Sequence, residues 1–453
     1  MPPPLFKHQQ EDIKFILERP YTFNTSDPGT GKTRTIIEVI RQDFKRRPAL
    51  VIAPKTILAA SWGADIQKFA PELDYVIATP KNRMDALATN TDIVLTNHDA
   101  VLSIAKKNPK ALNHFKYVII DESTAFKNHE SQRSKALQSL IKNTPYRTAM
   151  SGTPMPNSVL DIWHQLYLLD QGTRLGNRFY SFRNACCTPT QKRINGMSFN
   201  EWTEKPGIRT VIANQIQDIT IRRTLDDCTD IPQQSISYYD YEPNTTIRQY
   251  YKEMTNEAFI ELDNERIIIG IHAAAQTIKM LQILSGAVYD NESYSLLDTE
   301  RYDLVLDIAE QRQHSLISFM WNHQKHYLEE QARKRKLPFA TIDGETPFAQ
   351  RLNIVENFQN GHYRILFAHP KSAGHGLTLT KAKTTIWTSP TYNLEQHLQF
   401  NGRTRRTGQT EKTEVICIRA INSIEEHVYN ILNSKQTTQD EFLHFLPKEQ
   451  HVA

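Results

Sequence analysis

The chain has 453 residues, 39% of them hydrophobic and 23% charged, with a formal net charge of +4. That length allows two or three domains with separate cores, and the composition is that of a soluble globular protein rather than a disordered or fibrous one. No run of about 20 apolar residues is present to cross a membrane, and the N-terminal stretch Met1-Pro2-Pro3-Pro4-Leu5-Phe6 lacks the basic and apolar parts of a secretory leader.

The first 160 residues alternate apolar runs with amphipathic stretches. Tyr21 to Asn24 predicts a strand and Arg34 to Ile40 a helix. Ala49 to Ala53, Ile93 to Thr96 and Tyr117 to Ile120 predict buried strands, with helices between them. This alternation predicts a parallel sheet covered on both faces. Residues 161–215 carry aromatic, glycine and polar residues without strand spacing and are expected to be an insertion. Cys186, Cys187, Cys228 and Cys417 form no CxxC pair, so neither zinc nor a disulfide framework is expected, and reduced thiols fit a cytoplasm. Asp230-Ile231-Pro232-Gln233 predicts a connection between lobes, because proline interrupts regular structure. Residues 245–285 predict helix, with Tyr250, Met254, Phe259 and Leu262 spaced for one buried face. Strands return at Ser315 to Phe319, Arg364 to Ala368, Thr384 to Trp387 and Val415 to Ile418. The expected fold class is α/β, with two parallel-sheet lobes in tandem: residues 1–232 with an insertion at about 161–215, and 233–453 with a helical insertion at about 245–300.

Three short segments carry chemistry. Ser26-Asp27-Pro28-Gly29-Thr30-Gly31-Lys32-Thr33 lies between the first strand and the helix after it. A glycine-rich turn there presents backbone N–H groups to phosphate at a helix N-terminus. Gly29 and Gly31 would let the backbone approach, Lys32 would meet the outer phosphates, and Thr33 would hold Mg²⁺. Ser26 stands where the usual pattern has glycine. Asp121 and Glu122 end an apolar strand, where ligands of parallel sheets bind. Asp121 would bind Mg²⁺ and Glu122 would activate the attacking water. Arg403 and Arg406, three apart, would share a helical face and act as arginine fingers, with Gln399, Gly402 and Gln409 around them. Phosphate grip and fingers lie nearly the whole chain apart, so two lobes closing on one nucleotide are expected.

In this order the segments resemble a superfamily 2 helicase of the Swi/Snf-like branch over residues 5–435. Leu5-Phe6-Lys7-His8-Gln9 resembles the adenine-reading segment, with Gln9 on the base, and residues 26–33 resemble motif I, implying nucleotide contacts from Asp27, Gly29, Thr30, Gly31, Lys32 and Thr33. Ala53-Pro54-Lys55-Thr56, followed by Trp62 and Phe69, resembles motif Ia, and Leu95-Thr96-Asn97-His98 the next strand-end motif. Asp121-Glu122-Ser123-Thr124 with Lys127-Asn128 resembles motif II, and Ser151-Gly152-Thr153-Pro154 with Pro156-Asn157 motif III, which couples nucleotide to nucleic acid. Ile221-Arg222-Arg223-Thr224 resembles the crossing between lobes. Ile317-Ser318-Phe319, Ile342 to Thr346, Ser372 to Leu379 and residues 399–409 resemble the second-lobe motifs, adding Gly376 at the nucleotide and Gln399 in coupling.

The resemblance implies two RecA-like lobes and an ATP-dependent DNA helicase or translocase with ATP and Mg²⁺ as cofactors. DNA-backbone contacts would come from Lys55, Thr56, Asn97, His98, Lys371, Ser372 and Asn393. Motif II ends in Ser123-Thr124 and motif V carries Gly374-His375-Gly376; both variants look like compact phage relatives and not like chromatin remodellers. The expected role is therefore remodelling of forked or branched DNA by branch migration in recombination or replication, by a monomer in a host cytoplasm, with no membrane partner. Three other readings stay open: a duplex translocase that does not separate strands, an RNA helicase, and an inactive fold kept as a binding module.

Overall fold

The β-branched runs become strands buried on both faces. In a computed structural model, residues 3–194, 197–228, 231–264, 269–290, 293–373, 376–406 and 408–446 are described. Asp230, Gly374, His375 and Thr407 lie outside them, as do the side chains of Phe259 and Leu262. The chain divides into two compact units, one made of Met1–Thr190, Glu201–Asp230 and Lys435–Ala453, the other of Gln191–Asn200 and Ile231–Ser434.

In chain order the first strands are β1 (Tyr21–Asn24), β2 (Ala49–Ala53), β3 (Tyr75–Ile77), β4 (Ile93–Asn97), β5 (Tyr117–Asp121) and β6 (Tyr146–Met150). A two-stranded sheet follows, β7 (Cys187–Ile194) with β8 (Met197–Glu204), and then β9 (Thr220–Ile221). The first unit's main sheet runs β3-β4-β2-β5-β6-β1-β9, and every pair in it is parallel. Side chains alternate across it with period two. Ala49, Val51 and Ala53 pack with Ile13 and Ile16 of helix α1 (Lys7–Leu17) and Ile36 and Ile40 of helix α2 (Lys32–Gln42). Leu50 and Ile52 point the other way, onto Val101, Ile104, Leu137 and Leu140. Burying each such side chain is worth about 1.5–3 kcal/mol, which is why both faces of these strands are apolar.

The stretch 161–215, whose sequence shows no strand spacing, does contain strands. It holds helices Ile162–Asp170, Phe179–Cys186 and Ile208–Ile216 as well as β7 and β8. The β7–β8 pair stands apart from the main sheet, so its sequence is mostly polar and gives no burial signal. The helices pack on Phe23 and Ala149, and Phe442, Leu443 and Leu446 near the C-terminus share that core.

In the second unit, β10 (Gln234–Tyr241) is followed by a hairpin of β11 (Ala287–Asp290) and β12 (Ser293–Leu296). Then come β13 (Ser315–Ser318), β14 (Phe339–Ile342), β15 (Ile365–Ala368), β16 (Thr384–Trp387) and β17 (Thr413–Ala420). The sheet order is β10-β17-β16-β13-β15-β14, again parallel throughout. Ile317, Phe367 and Ile418 fill one face, and Leu316, Leu366 and Trp387 the other. The expected helix at 245–285 is two, Thr245–Asn264 and Ile269–Leu284. No helix among the described residues is long and apolar enough to cross a membrane.

A buried ion pair locks the second unit. Arg301, 2% exposed, donates from Nη1 and Nη2 to the two carboxylate oxygens of Glu425 at 2.8 and 3.0 Å, and from Nη1 to the Thr388 carbonyl. It thereby joins helix Glu300–Glu310, the end of β16 and helix Ile424–His444. Removing one partner leaves the other charge buried alone. Arg301→Met is expected to cost about 3–5 kcal/mol in denaturant unfolding, with much of the loss recovered in Arg301→Met/Glu425→Leu; equal stability of wild type and the single variant would refute the locking role.

Candidate active site

A phosphate grip requires a strand, a turn free of side-chain obstruction and a helix N-terminus. β1 ends at Asn24 and α2 starts at Lys32. Between them Gly29 and Gly31 have φ of +93° and +84°, a region side chains disfavour. Gly31 caps α2, and a Cβ there would lie 2.4 Å from Gln9 Nε2. Gln9 is buried over the loop; its Oε1 accepts the Phe6 amide and its Nε2 reaches the Gly31 carbonyl at 3.4 Å. The His8 ring pairs with the Thr30 carbonyl at 2.9 Å, and Thr30 Oγ1 donates to the Asp27 carbonyl. Lys32 folds over the turn, its Nζ donating to the carbonyls of Ser26 at 2.5 Å and Asp27 at 3.0 Å. Burial lowers its pKa, against the charges of Glu122, Asp121 and Asp27. Thr33 occupies the first turn of α2.

Asp121 closes β5 and Glu122 follows it with φ +55°, a left-handed conformation that costs a non-glycine residue about 1–2 kcal/mol. Such strain gathers at functional sites. Asp121 accepts the Trp62 indole N–H at 2.9 Å, and its carbonyl pairs with His98 Nε2 at 2.8 Å. Burial pushes the Asp121 carboxyl up to about 6, partly opposed by Trp62 and Lys32. Glu122 Oε1 accepts the Ser151 hydroxyl at 2.9 Å, while Ser151 Oγ accepts the Thr153 amide at 3.1 Å. Gly152 lies against the Pro28 turn; a Cβ there would meet Pro28 Cδ at 2.9 Å. Three strand-end loops are thus bonded into one constellation, able to bind an anion beside a pair of carboxylates.

Asp27 is held from the other side. Its Oδ1 accepts Arg222 Nη1 at 2.6 Å and its Oδ2 the Leu225 amide at 2.9 Å. Arg223 pairs with Asp12 and Glu11, each at 2.9 Å. β9, parallel to β1, carries Arg222 and Arg223 to that place.

The expected DNA-contacting residues sit at strand ends within their own units. Lys55 is exposed and Thr56 half-buried after β2, and Asn97 ends β4. His98 is buried, with its ring edge-on to Phe126, so it holds the Asp121 backbone instead of facing solvent. Lys371 is exposed and Ser372 half-buried in the short helix Pro370–Ala373. Asn393 caps helix Leu394–Asn401, its Oδ1 accepting the Gln396 amide.

One expectation is corrected: Arg403 and Arg406 do not share a helical face. The helix stops at Asn401, and the arginines themselves terminate it. Arg403 Nε takes the Gln399 carbonyl at 2.7 Å and Arg406 Nε the Gly402 carbonyl at 3.2 Å, groups left open at a helix end. Arg403 Nη1 also holds the Leu377 carbonyl at 3.1 Å, next to Gly376 (φ +74°). Burial lowers Arg406 to about 10, still charged at neutral pH. Gln399 is buried and bonds Glu395 at 3.3 Å.

The sequence placed Trp62 and Arg222 in motifs without showing what they bond, and gave no role to Gln165. Gln165, fully buried, accepts the Ser123 hydroxyl at 2.6 Å and donates to the Pro154 carbonyl at 2.7 Å, tying the loops after β5 and β6. A glutamine amid Trp163, Leu166, Leu168 and Leu169 was the available signal.

A model of the SNF2-related domain matches residues 8–293, and one of the helicase conserved C-terminal domain matches residues 300–408. Putative protein p41 of Acyrthosiphon pisum secondary endosymbiont phage 1 is 27% identical, covering 93% of this chain and 94% of its own. The uncharacterized ATP-dependent helicase MG018 of Mycoplasma genitalium is 24% identical over 95% of this chain, which spans 41% of that relative. The Caenorhabditis elegans homologue of SWI/SNF-related matrix-associated actin-dependent regulator of chromatin subfamily A-like protein 1 is 24% identical over 95% of this chain, which spans 61% of it. The Sulfolobus solfataricus SWI2/SNF2 ATPase core in complex with dsDNA is 21% identical, covering 98% of this chain and 93% of its own, with a TM-score of 0.46.

The raised Asp121 pKa has a measurable sign. From its ordinary 3.8 to about 6, the folded chain keeps a proton that the unfolded chain releases, so stability falls as pH rises through that window. In metal-free buffer, Asp121→Asn is expected to melt higher than wild type above about pH 6, with the difference vanishing below about pH 4. Thermal unfolding in EDTA across this range tests it; a pH-independent difference would overturn the burial argument.

Proposed function

Because the chain belongs to the SNF2-related family, we propose that it is an ATP-driven motor on DNA that remodels or unwinds forked and branched substrates, including branch migration. The observation that carries the reading is the Ser151–Glu122 hydrogen bond at 2.9 Å. It joins the residue suited to activate water to the loop suited to sense nucleic acid. The name of the mycoplasma relative supports an ATP-dependent helicase, and the phage relative matches this chain over 94% of its own length.

The residues fit ATP with Mg²⁺. The Lys32 ammonium donates to two backbone carbonyls, and Gly29 and Gly31 keep side chains off the turn beneath it. Thr33 and Asp121 would hold Mg²⁺, whose charge would neutralise the phosphates and lower the Asp121 pKa. Lys32 would leave the Ser26 and Asp27 carbonyls for phosphate oxygens. Glu122, fixed by Ser151, would take the proton of the attacking water. Gln9 would meet the base. Arg406 would stabilise the developing charge, with Arg403 contributing while it holds the Leu377 loop. Lys55, Thr56, Asn97, Lys371 and Ser372 would grip DNA phosphates, which carry no sequence and so suit a translocating enzyme. His98 would act through Asp121, and Asn393 through its helix.

Turnover is expected to require DNA. Glu122→Gln and Lys32→Ala should abolish it, while Arg406→Ala should lower kcat by about 10³-fold or more with ATP binding retained. Wild-type hydrolysis by Glu122→Gln would remove the assigned base. Forked and four-way junctions should be processed faster than a blunt duplex in a gel assay. Equal ATPase stimulation by every substrate, with no strand displacement or branch migration, would favour a plain duplex translocase. Affinity for DNA should fall with salt at a log–log slope of about −0.7 to −0.9 per phosphate contacted, and a flat response would argue against backbone tracking.

A further inference from the structure

The first unit holds a second cationic feature, away from the strand-end loops. A cavity of about 380 Å³ is lined by Lys135, Gln138, Ser139, Lys142, Arg147 and Gln171 among others, and no aspartate or glutamate lines it. Arg147 is the second residue of β6, whereas Ser151 follows that strand's last residue. At about 3.3 Å per residue, the two lie roughly 13 Å apart at opposite ends of the strand. The cavity therefore opens at the N-terminal edge of the sheet.

Arg147 is 2% exposed and lies over the Tyr21 ring at 4.6 Å. Its Nη1 donates to the Leu168 carbonyl at 3.1 Å, and its buried Nε has no partner. No carboxylate pairs with it among the described residues. Neither does one pair with Lys135 or Lys142, both exposed at the rim. Burying a guanidinium without a counter-charge is costly, so an anion entering here would offset a cost the fold already bears. The rim is built rather than accidental. Gln171, with φ +57°, donates from Nε2 to the Lys142 carbonyl at 2.8 Å and pins the end of helix Ile162–Asp170 to that of helix Gln132–Ile141. Ser139, Gln138 and Tyr167 add neutral polar groups.

Arginine presents a planar fork of donors and lysine a mobile point charge, a combination suited to the oxygens of a phosphate dianion. A cavity of this size is within the range that holds a mononucleotide. We propose that it is a second anion site, independent of the Lys32 loop, that takes a phosphate monoester: the 5′-phosphate of a mononucleotide or of a DNA strand. The proposal does not depend on the motor reading.

Calorimetric titration of the full chain carrying Lys32→Ala, which weakens phosphate binding at the nucleotide loop, tests it. Inorganic phosphate and dAMP are expected to bind this variant, and Lys32→Ala/Lys135→Gln/Lys142→Gln to bind them about tenfold more weakly or worse. Deoxyadenosine, which lacks the phosphate, should not bind. A short oligonucleotide with and without a 5′-phosphate identifies the source: discrimination lost with the lysines assigns the site to a DNA end, and its absence alongside dAMP binding assigns it to a free nucleotide. Lys135→Gln/Lys142→Gln with Lys32 intact should hydrolyse ATP like wild type, so loss of this site and loss of the motor are separable. Equal phosphate affinity with and without the two lysines, or deoxyadenosine binding as well as dAMP, would overturn the proposal. Because both lysines are exposed, these variants retain the core, and Arg147→Lys, which keeps the buried charge, provides an independent check with weaker binding expected.

Discussion

Parallel strands impose a direction, and the candidate site depends on it. In a parallel sheet every strand's C-terminal end lies on the same edge. The loops after β1, β2, β4, β5 and β6 are therefore neighbours although their sequences are separated by tens of residues. The glycine-rich turn, the Asp121–Glu122 pair and Ser151 meet because each follows a strand of the same sense. Reversing one strand would send its loop to the opposite edge, where Arg147 lies.

The C-terminal edge of the first sheet also holds poorly solvated charge. Lys32 and Asp121 are each shifted toward their neutral forms by burial, and each is pulled back by the other's charge. Neither compensation is complete, and the charge of a bound anion with its cation would relieve both shifts. The left-handed Glu122 adds backbone strain at the same point. Trp62, Ser151 and Gln165 counter these costs with hydrogen bonds from three different elements. Positioned, underpaired charge is a common way for a protein to exchange stability for function.

Legibility in the sequence followed burial. Ala49–Ala53 and Thr384–Trp387 were readable to the residue because both faces of these strands are covered. β7 and β8 were missed because a sheet of two strands buries little, although the Asn195-Gly196 dipeptide between them is a hairpin signal. Gly29, Gly31, Lys32, Asp121 and Glu122, singled out by residue type and spacing, lie at the ends of parallel strands in one sheet. The Arg222 bond to Asp27 and the role of Gln165 were not legible, since a clamp on Asp27 or a bridge between loops can be made by many residues from many positions.

By itself the sequence determined two parallel α/β sheets, the glycine-rich turn after the first strand and the acid pair at the end of another. Each of these is a local pattern, fixed by periodicity or by a few adjacent residues. The tertiary structure alone decided that His98 turns inward to Asp121, that Arg403 and Arg406 end a helix instead of lining it, and that Lys135, Lys142 and Arg147 surround a cavity without a carboxylate. These outcomes depend on which carbonyl or charge comes within about 3 Å, the span of a hydrogen bond, and the neighbours that decide it come from other elements of the fold.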